Sequence, residues 1–297
     1  MFEPILDPRT PNWKLRLACT VLVLSLVMGF VWIWRMTQMP LKSYKGSLQP
    51  LSDEESQLAT RLSGDVKYLS ETVGERSLSR PGSLRATTDY LRDTFKQAGY
   101  VSIERTYSVE GHAVSNIEVS LVGSDNSSGS VIVGAHYDSV AGTVGADDNA
   151  TGVAGVLELA QLLQGSKLRR TVRFVLFVNE EPPYFRTDTM GSLVYARQLR
   201  RDRIPVSAMI SLEMLGFYSD VPGSQKYAPV LGLFYPGHGD FIGFVGNQES
   251  RDLVRRSIRR FRESASFPSE ELLPRQIGPA WGGLTIGLSG NSSIPRL

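Results

Sequence analysis

The stretch Val172-Arg173-Phe174-Val175-Leu176-Phe177-Val178 is an almost unbroken apolar run. A strand of that composition needs cover on both faces, as in a parallel sheet sandwiched by helices. The flanking sequence has the matching rhythm. Strand-like segments fall at 101–109, 115–122, 130–135, 171–178, 208–214 and 241–245. Helical spacing of apolar residues falls at 52–73, 83–98, 151–163, 190–200 and 251–262. Strands alternating with helices predict an α/β domain with a mostly parallel central sheet flanked by helices.

Composition removes several classes. The 297 residues carry a formal net charge of +2, which makes no case for nucleic acid or an acidic partner. Arg255-Arg256-Ser257-Ile258-Arg259-Arg260-Phe261-Arg262 is locally basic, but Leu253, Val254, Ile258 and Phe261 form one apolar stripe. That pattern predicts a buried stripe under a solvated basic face. A single cysteine, Cys19, excludes an intrachain disulfide and a cysteine-based zinc site. With only His112, His136 and His238, a histidine-rich metal site is excluded as well.

Leu17 to Trp34 is a run of 18 uncharged residues between Arg16 and Arg35, with Trp13, Trp32 and Trp34 near its ends. A helix that crosses hydrocarbon needs about 20 apolar residues and favours tryptophan at the interface. A cleaved signal peptide is the rival reading. Its apolar core is usually shorter, and no small-x-small site follows Trp34. The expectation is therefore an uncleaved transmembrane helix. Basic residues balance across it, so charge does not set its orientation.

Acids and histidine gather where strands end, which is where open α/β sheets place reactive groups. The segment 130–135 runs into His136-Tyr137-Asp138, and 171–178 runs into Asn179-Glu180-Glu181. The strand at 208–214 carries Glu213 among apolar neighbours, and Gly145-Ala146-Asp147-Asp148-Asn149-Ala150 enters a helix. Alone, each has a plainer reading. His136 and Asp138 form a hydrogen-bonded pair, Asp147 and Asp148 cap a helix, and Glu180-Glu181 is a solvated strand end. Glu213 is harder to dismiss, because a buried carboxylate needs a partner. Taken together, imidazole and several carboxylates are the donor set of a two-zinc site. A further carboxylate that is not a ligand then serves as general base.

In this order and context the motifs resemble the co-catalytic zinc aminopeptidases of metallopeptidase family twenty-eight, which includes bacterial leucyl aminopeptidase and aminopeptidase Y. The matching segments are His136-Tyr137-Asp138-Ser139, Gly145 to Ala154, Asn179-Glu180-Glu181-Pro182-Pro183 and Ser211-Leu212-Glu213-Met214. The resemblance implies a zinc-exopeptidase-like, phosphorylase/hydrolase-like fold and hydrolysis of N-terminal residues from peptides. It implies that His136, Asp147, Glu181 and Glu213 bind two zinc ions, with Asp147 bridging and a cis bond at Asp147–Asp148. Glu180 would be the general base, and Asp138 would orient His136. Carboxypeptidases and glutaminyl cyclases share the scaffold, but the cyclases usually lack the first histidine. Family likeness points the domain into the periplasm or outside the cell.

One motif is missing. The family's last ligand is a histidine in a Ser-Asp-His-Trp-like segment near the C-terminus, and His238 lies outside any such segment. Back-translation of Gly278 to Asn291, read from each third codon base, permits Pro-Gly-Val-Gly-Trp-Ser-Asp-His-Trp-Ser-Phe-Trp-Gln. The expectation is a frameshift near Ile277, a sheet incomplete at its C-terminal end with an uncovered apolar edge, and a weak second zinc site. The alternative to an active enzyme is a catalytically impaired, membrane-tethered remnant. The expected layout is a cytoplasmic tail at 1–16, an anchor at 17–35 and a linker at 36–50. An incomplete zinc peptidase domain follows at 51–277, then an out-of-frame tail at 278–297. Expected partners are peptides and, through the anchor, a membrane.

Overall fold

Ser52 opens the first helix of the main domain because its hydroxyl accepts the Glu55 N–H while the Glu55 carboxylate accepts the Ser52 N–H. That reciprocal box satisfies two of the free donors at a helix start. The computed structural model describes residues 13–36, 38–227, 231–233, 235–247, 249–272 and 284–288. The chain divides into two units, Met1–Gln38 and Met39–Leu297.

The first unit contains helix α1, Trp13–Met36. Its apolar side chains, from Leu17 through Val31, are exposed. Over the described side chains, no helix is long and apolar enough to cross a membrane. The 1–16 tail falls mostly outside the described residues.

In the second unit the helices are α2 (Asp53–Lys67), α3 (Pro81–Gln97), α4 (Gly152–Leu163), α5 (Gly191–Arg201) and α6 (Arg251–Ser264). The strands are β1 (Ile103–Val109), β2 (His112–Leu121), β3 (Ser130–His136), β4 (Val172–Phe177), β5 (Val206–Glu213), β6 (Ile242–Gly246), β7 (Ser269–Leu272) and β8 (Leu284–Leu288). They form one sheet in the order β1-β2-β4-β3-β5-β8-β6-β7. His112 is the first residue of β2 and pairs with Val109.

The sheet is mixed rather than mostly parallel. Pairing is parallel for β3–β4, β3–β5, β5–β8 and β6–β7, and antiparallel for β1–β2, β2–β4 and β6–β8. The expected gap at the C-terminal end is also absent. The backbone of Leu284–Leu288, expected to be meaningless sequence, runs between β5 and β6 and covers the edge of β5.

The apolar run of β4 is buried on both faces, with Phe174, Val175, Leu176 and Val178 fully inside. Ile117, Val119, Val153 and Val156 pack on one side, and Tyr195 and Leu199 of α5 on the other. Beneath α5, Glu118 of β2 is fully buried between two arginines. Its Oε2 lies 2.6 Å from Arg105 Nε, and its Oε1 accepts a hydrogen bond from Arg173. The apolar stripe of α6 is inward as expected, with Val254 and Ile258 buried against Phe244 and Met39. Part of the 36–50 linker is docked, since Arg262 Nη1 donates to the carbonyls of Pro40 and Leu41.

Candidate metal centre

Register explains why distant residues meet. His136 is level with Phe177, so Glu180 and Glu181 follow just beyond the end of β4. Gly134 pairs with Ser211, so His136 and Glu213 each lie two residues further along adjacent strands. The loop 145–151 then brings its acids over the same edge.

His136 Nε2 lies 3.1 Å from Asp148 Oδ1, 3.1 Å from Glu213 Oε1 and 3.8 Å from Glu180 Oε2. Two sets of donors lie close enough to share a cation, His136–Asp148–Glu213 and His136–Glu180–Glu181. The residues fit a metal on a second count. Glu181 is buried, yet its Oε1 has no hydrogen-bond partner. Such an atom carries a desolvation penalty that a cation would remove. Nitrogen and oxygen donors of this kind suit zinc.

Asp147 is not in either set. Its Oδ1 accepts the Gly216 N–H at 2.8 Å, tying the loop after β5 to the start of α4. Asp148, not Asp147, belongs to the His136–Asp148–Glu213 set, and the cis peptide bond lies at Asp148–Asn149 instead of Asp147–Asp148. Asp138 lies beside the His136 ring, as expected, and has a second contact. Its two carboxylate oxygens accept the N–H groups of Glu180 and Glu181, at 3.1 and 3.0 Å. The His136 ring rests on the Asp138 carbonyl, 3.2 Å from Nδ1, with the carboxylate at 3.5 Å. Asp138 therefore fixes the end of β4 more directly than it fixes the imidazole.

Asn149 was not singled out by sequence. Fully buried, it donates to the Leu212 carbonyl and to Glu213 Oε2, and its own oxygen accepts Gly152 N–H and Met214 N–H. Gly152 is required there, because a Cβ would meet Asn149 Oδ1 at 2.3 Å and the Leu212 carbonyl at 2.4 Å. Asn179 and Met214 adopt left-handed backbone, with φ of 60° and 47°. One precedes Glu180 and the other follows Glu213, so both backbone outliers flank the acids.

The electrostatics reflect carboxylates crowded around one imidazole. Burial raises Glu180 to about 7 and Glu181 to about 8, with nearby acids adding to it and His136 opposing it. Burial also raises Glu213. For His136, burial disfavours the charged form, but Glu213, Asp138 and Asp148 outweigh it and raise its pKa well above the ordinary value. Burial opposes ionisation of Asp148 too, but contact with His136 outweighs it and lowers its pKa.

The model of peptidase family M28 matches residues 116–232, the segment that contributes every residue of the cluster. Over that segment the chain is similar to peptidase family M28. It is 40% identical over 204 residues to the uncharacterized protein YfbL of Escherichia coli K12, covering 66% of this chain and 62% of that one. It is 30% identical to an aminopeptidase of Pseudomonas aeruginosa over 54% of this chain and 29% of that protein. The chain therefore spans less than two thirds of the length of these relatives. Its fold is that of the Legionella pneumophila LapA aminopeptidase, with a TM-score of 0.57, 16% identity, and coverage of 82% of this chain and 66% of that one. Of the remaining histidines, His238 pairs with Asp240 at 2.7 Å, and His112 sits in the β1–β2 hairpin.

Proposed function

We propose that this chain is a metal-dependent aminopeptidase of the M28 type that removes N-terminal residues from peptides. The observation that carries the reading is the convergence of His136, Asp148, Glu180, Glu181 and Glu213 on one sheet edge. His136, Asp148 and Glu213 would hold one zinc ion, and Asp148 and Glu181 would hold a second. Bound zinc would supply Lewis acidity and a water ionised near neutral pH. Glu180 would be the general base, taking a proton from that water and returning it to the leaving amine. A pKa near 7 suits a group that must accept and release a proton at neutral pH. Asp138 and Asn149 would keep Glu180, Glu181 and Glu213 in place. Zinc binding together with hydrolysis of free-amino but not N-blocked peptides tests the reading and separates it from carboxypeptidase or cyclase chemistry.

A second reading is a catalytically impaired remnant. It is favoured by the lack of a matching histidine motif, which leaves Asp148 and Glu181 as the ligands of the second ion. Sequencing the coding DNA from Leu273 to the stop codon decides between them. A restored frame continues into Ser-Asp-His-Trp and supports the enzyme; the written frame predicts weak zinc binding at the second position.

We also propose that α1 is a membrane anchor, with the peptidase domain periplasmic or extracellular. The uncharged run Leu17–Trp34 and the exposed apolar side chains of α1 support this. Retention of the chain, but not of residues 39–297 alone, in alkali-washed membranes tests it.

A further inference from the structure

Arg76 is fully buried although it carries a charge. Each guanidinium nitrogen donates to main-chain carbonyls. Nε reaches Tyr137 at 2.7 Å and Nη2 reaches Gly145 at 2.7 Å. Nη1 reaches Val144 at 2.7 Å and both Leu69 and Gly74 at 2.9 Å. The Arg76 backbone adds two bonds to Ser139, its N–H to Oγ at 3.1 Å and its carbonyl to the Ser139 N–H at 2.9 Å. A planar fork with fixed donor directions is the side chain that can do this; lysine cannot.

The placement of these carbonyls is the informative point. Tyr137 lies between His136 and Asp138, and Gly145 lies three residues before Asp148. The guanidinium thus grips the two segments that deliver donors to the metal centre. Among the described residues it makes no hydrogen bond to a carboxylate, yet Asp138, Asp148 and Glu181 are the charges that favour its ionised form. A buried cation beside clustered acids relieves their repulsion before a metal arrives.

We propose that Arg76 is a positioning residue for the metal centre, joining Tyr137 to the Val144–Gly145 turn and so setting the spacing of His136 and Asp148 before a cation binds. The proposal rests on the zinc reading above and assigns the assembly of that site to a residue from the α2–α3 connection, remote in sequence from every ligand.

The test uses the full chain solubilised in detergent, as wild type, Arg76→Lys and Gly145→Ala. Zinc affinity is measured by chelator competition, the cobalt-loaded form by its visible absorption, and folding by thermal unfolding without metal. Arg76→Lys keeps the charge and loses the fork. The expected result is cooperative unfolding with zinc affinity reduced about 10–100-fold, the range for partners that orient ligands, and a changed cobalt spectrum. A merely structural role would lower the unfolding midpoint and leave both metal readouts unmoved, which would overturn the proposal. Should Arg76→Lys fail to unfold cooperatively, Gly145→Ala decides. A Cβ there would meet Ser139 Cβ at 2.5 Å, and Arg76 Nη2 and the Asp148 carbonyl at 2.6 Å, at a φ of 53°, so it displaces the guanidinium together with the turn that it grips. It is expected to weaken zinc binding in the same way, and wild-type affinity would overturn the proposal. Absence of zinc binding by the wild type would overturn the zinc reading itself, an outcome distinct from equal binding by wild type and variant.

Discussion

His136 Nε2 and Asp148 Oδ1 stand 3.1 Å apart, while the neighbouring Asp147 directs its Oδ1 to the Gly216 N–H at 2.8 Å. Adjacent aspartates thus have separate tasks, one facing the metal centre and one holding a loop. Asp148→Asn is expected to reduce zinc affinity at least tenfold. Asp147→Asn is expected to retain wild-type zinc stoichiometry while lowering stability by about 1 kcal/mol, the difference between a charged and a neutral acceptor for the Gly216 N–H. Titration with zinc and denaturant unfolding check both; equal zinc loss in the two variants would restore Asp147 as a ligand.

Glu180 approaches His136 only to 3.8 Å and is kept close to neutral pKa by burial. Glu180→Gln keeps its size and removes its basicity. Peptide hydrolysis is expected to fall roughly 10²–10⁴-fold, the usual contribution of a positioned proton acceptor. Zinc content should be unchanged, and a parallel loss of zinc would make Glu180 a ligand instead.

Acid groups with raised pKa values give metal-free stability a definite slope. Glu180 and Glu181, at about 7 and 8, bind protons in the folded state that the unfolded chain releases at lower pH. His136, raised well above its ordinary value, acts in the same direction. Their contribution is present at pH below the unfolded values and is lost as pH rises through the folded ones. Without zinc, the unfolding midpoint is expected to fall between pH 5 and pH 8, by roughly 2–4 °C for each kcal/mol lost in a domain of this size. Zinc should reverse the slope, because it binds the deprotonated donors and releases their protons. Thermal scans with and without zinc measure it. A metal-free midpoint that rises over this range would contradict the ionisation pattern.

Glu118 has no part in the chemistry and a large part in the sheet. It is the shared acceptor of Arg105 and Arg173 beneath α5. Glu118→Gln leaves two cations without their partner, and removal of one member of a buried pair costs about 3–5 kcal/mol. Urea unfolding is expected to report that loss with peptide hydrolysis per folded molecule retained.

Much of the site was legible because strand ends are legible. An apolar run that stops at a histidine or acid announces both the strand and the group it presents, as with His136, Glu180, Glu181 and Glu213. Choosing between Asp147 and Asp148 was not possible in the same way. Two identical neighbours in a small-residue turn carry no periodic signal, and the path of the backbone alone decides which faces inward. Asn149 was hidden for a related reason: its value lies in four hydrogen bonds to residues distant in sequence or across a turn. At the other end of the sheet, β7 reads Ser-Glu-Glu-Leu, a charged composition that suits an edge strand and resembles a loop. β8 reads Leu-Thr-Ile-Gly-Leu, an alternation of only five residues in a stretch taken as out of frame, and its place is set by the partners on either side.

The position of β8 also governs the order in which the domain can assemble. Among the described residues, β6 and β7 join the rest of the hydrogen-bond ladder only through Leu284–Leu288. The strands from β1 to β5 can find one another during synthesis, but the second block must wait for residues beyond 283. A nascent chain halted between 214 and 283 holds every donor of the metal centre and still presents β5 as a bare edge, open to pairing with another copy. Ribosome pausing in that window is therefore the period in which this chain most needs a chaperone.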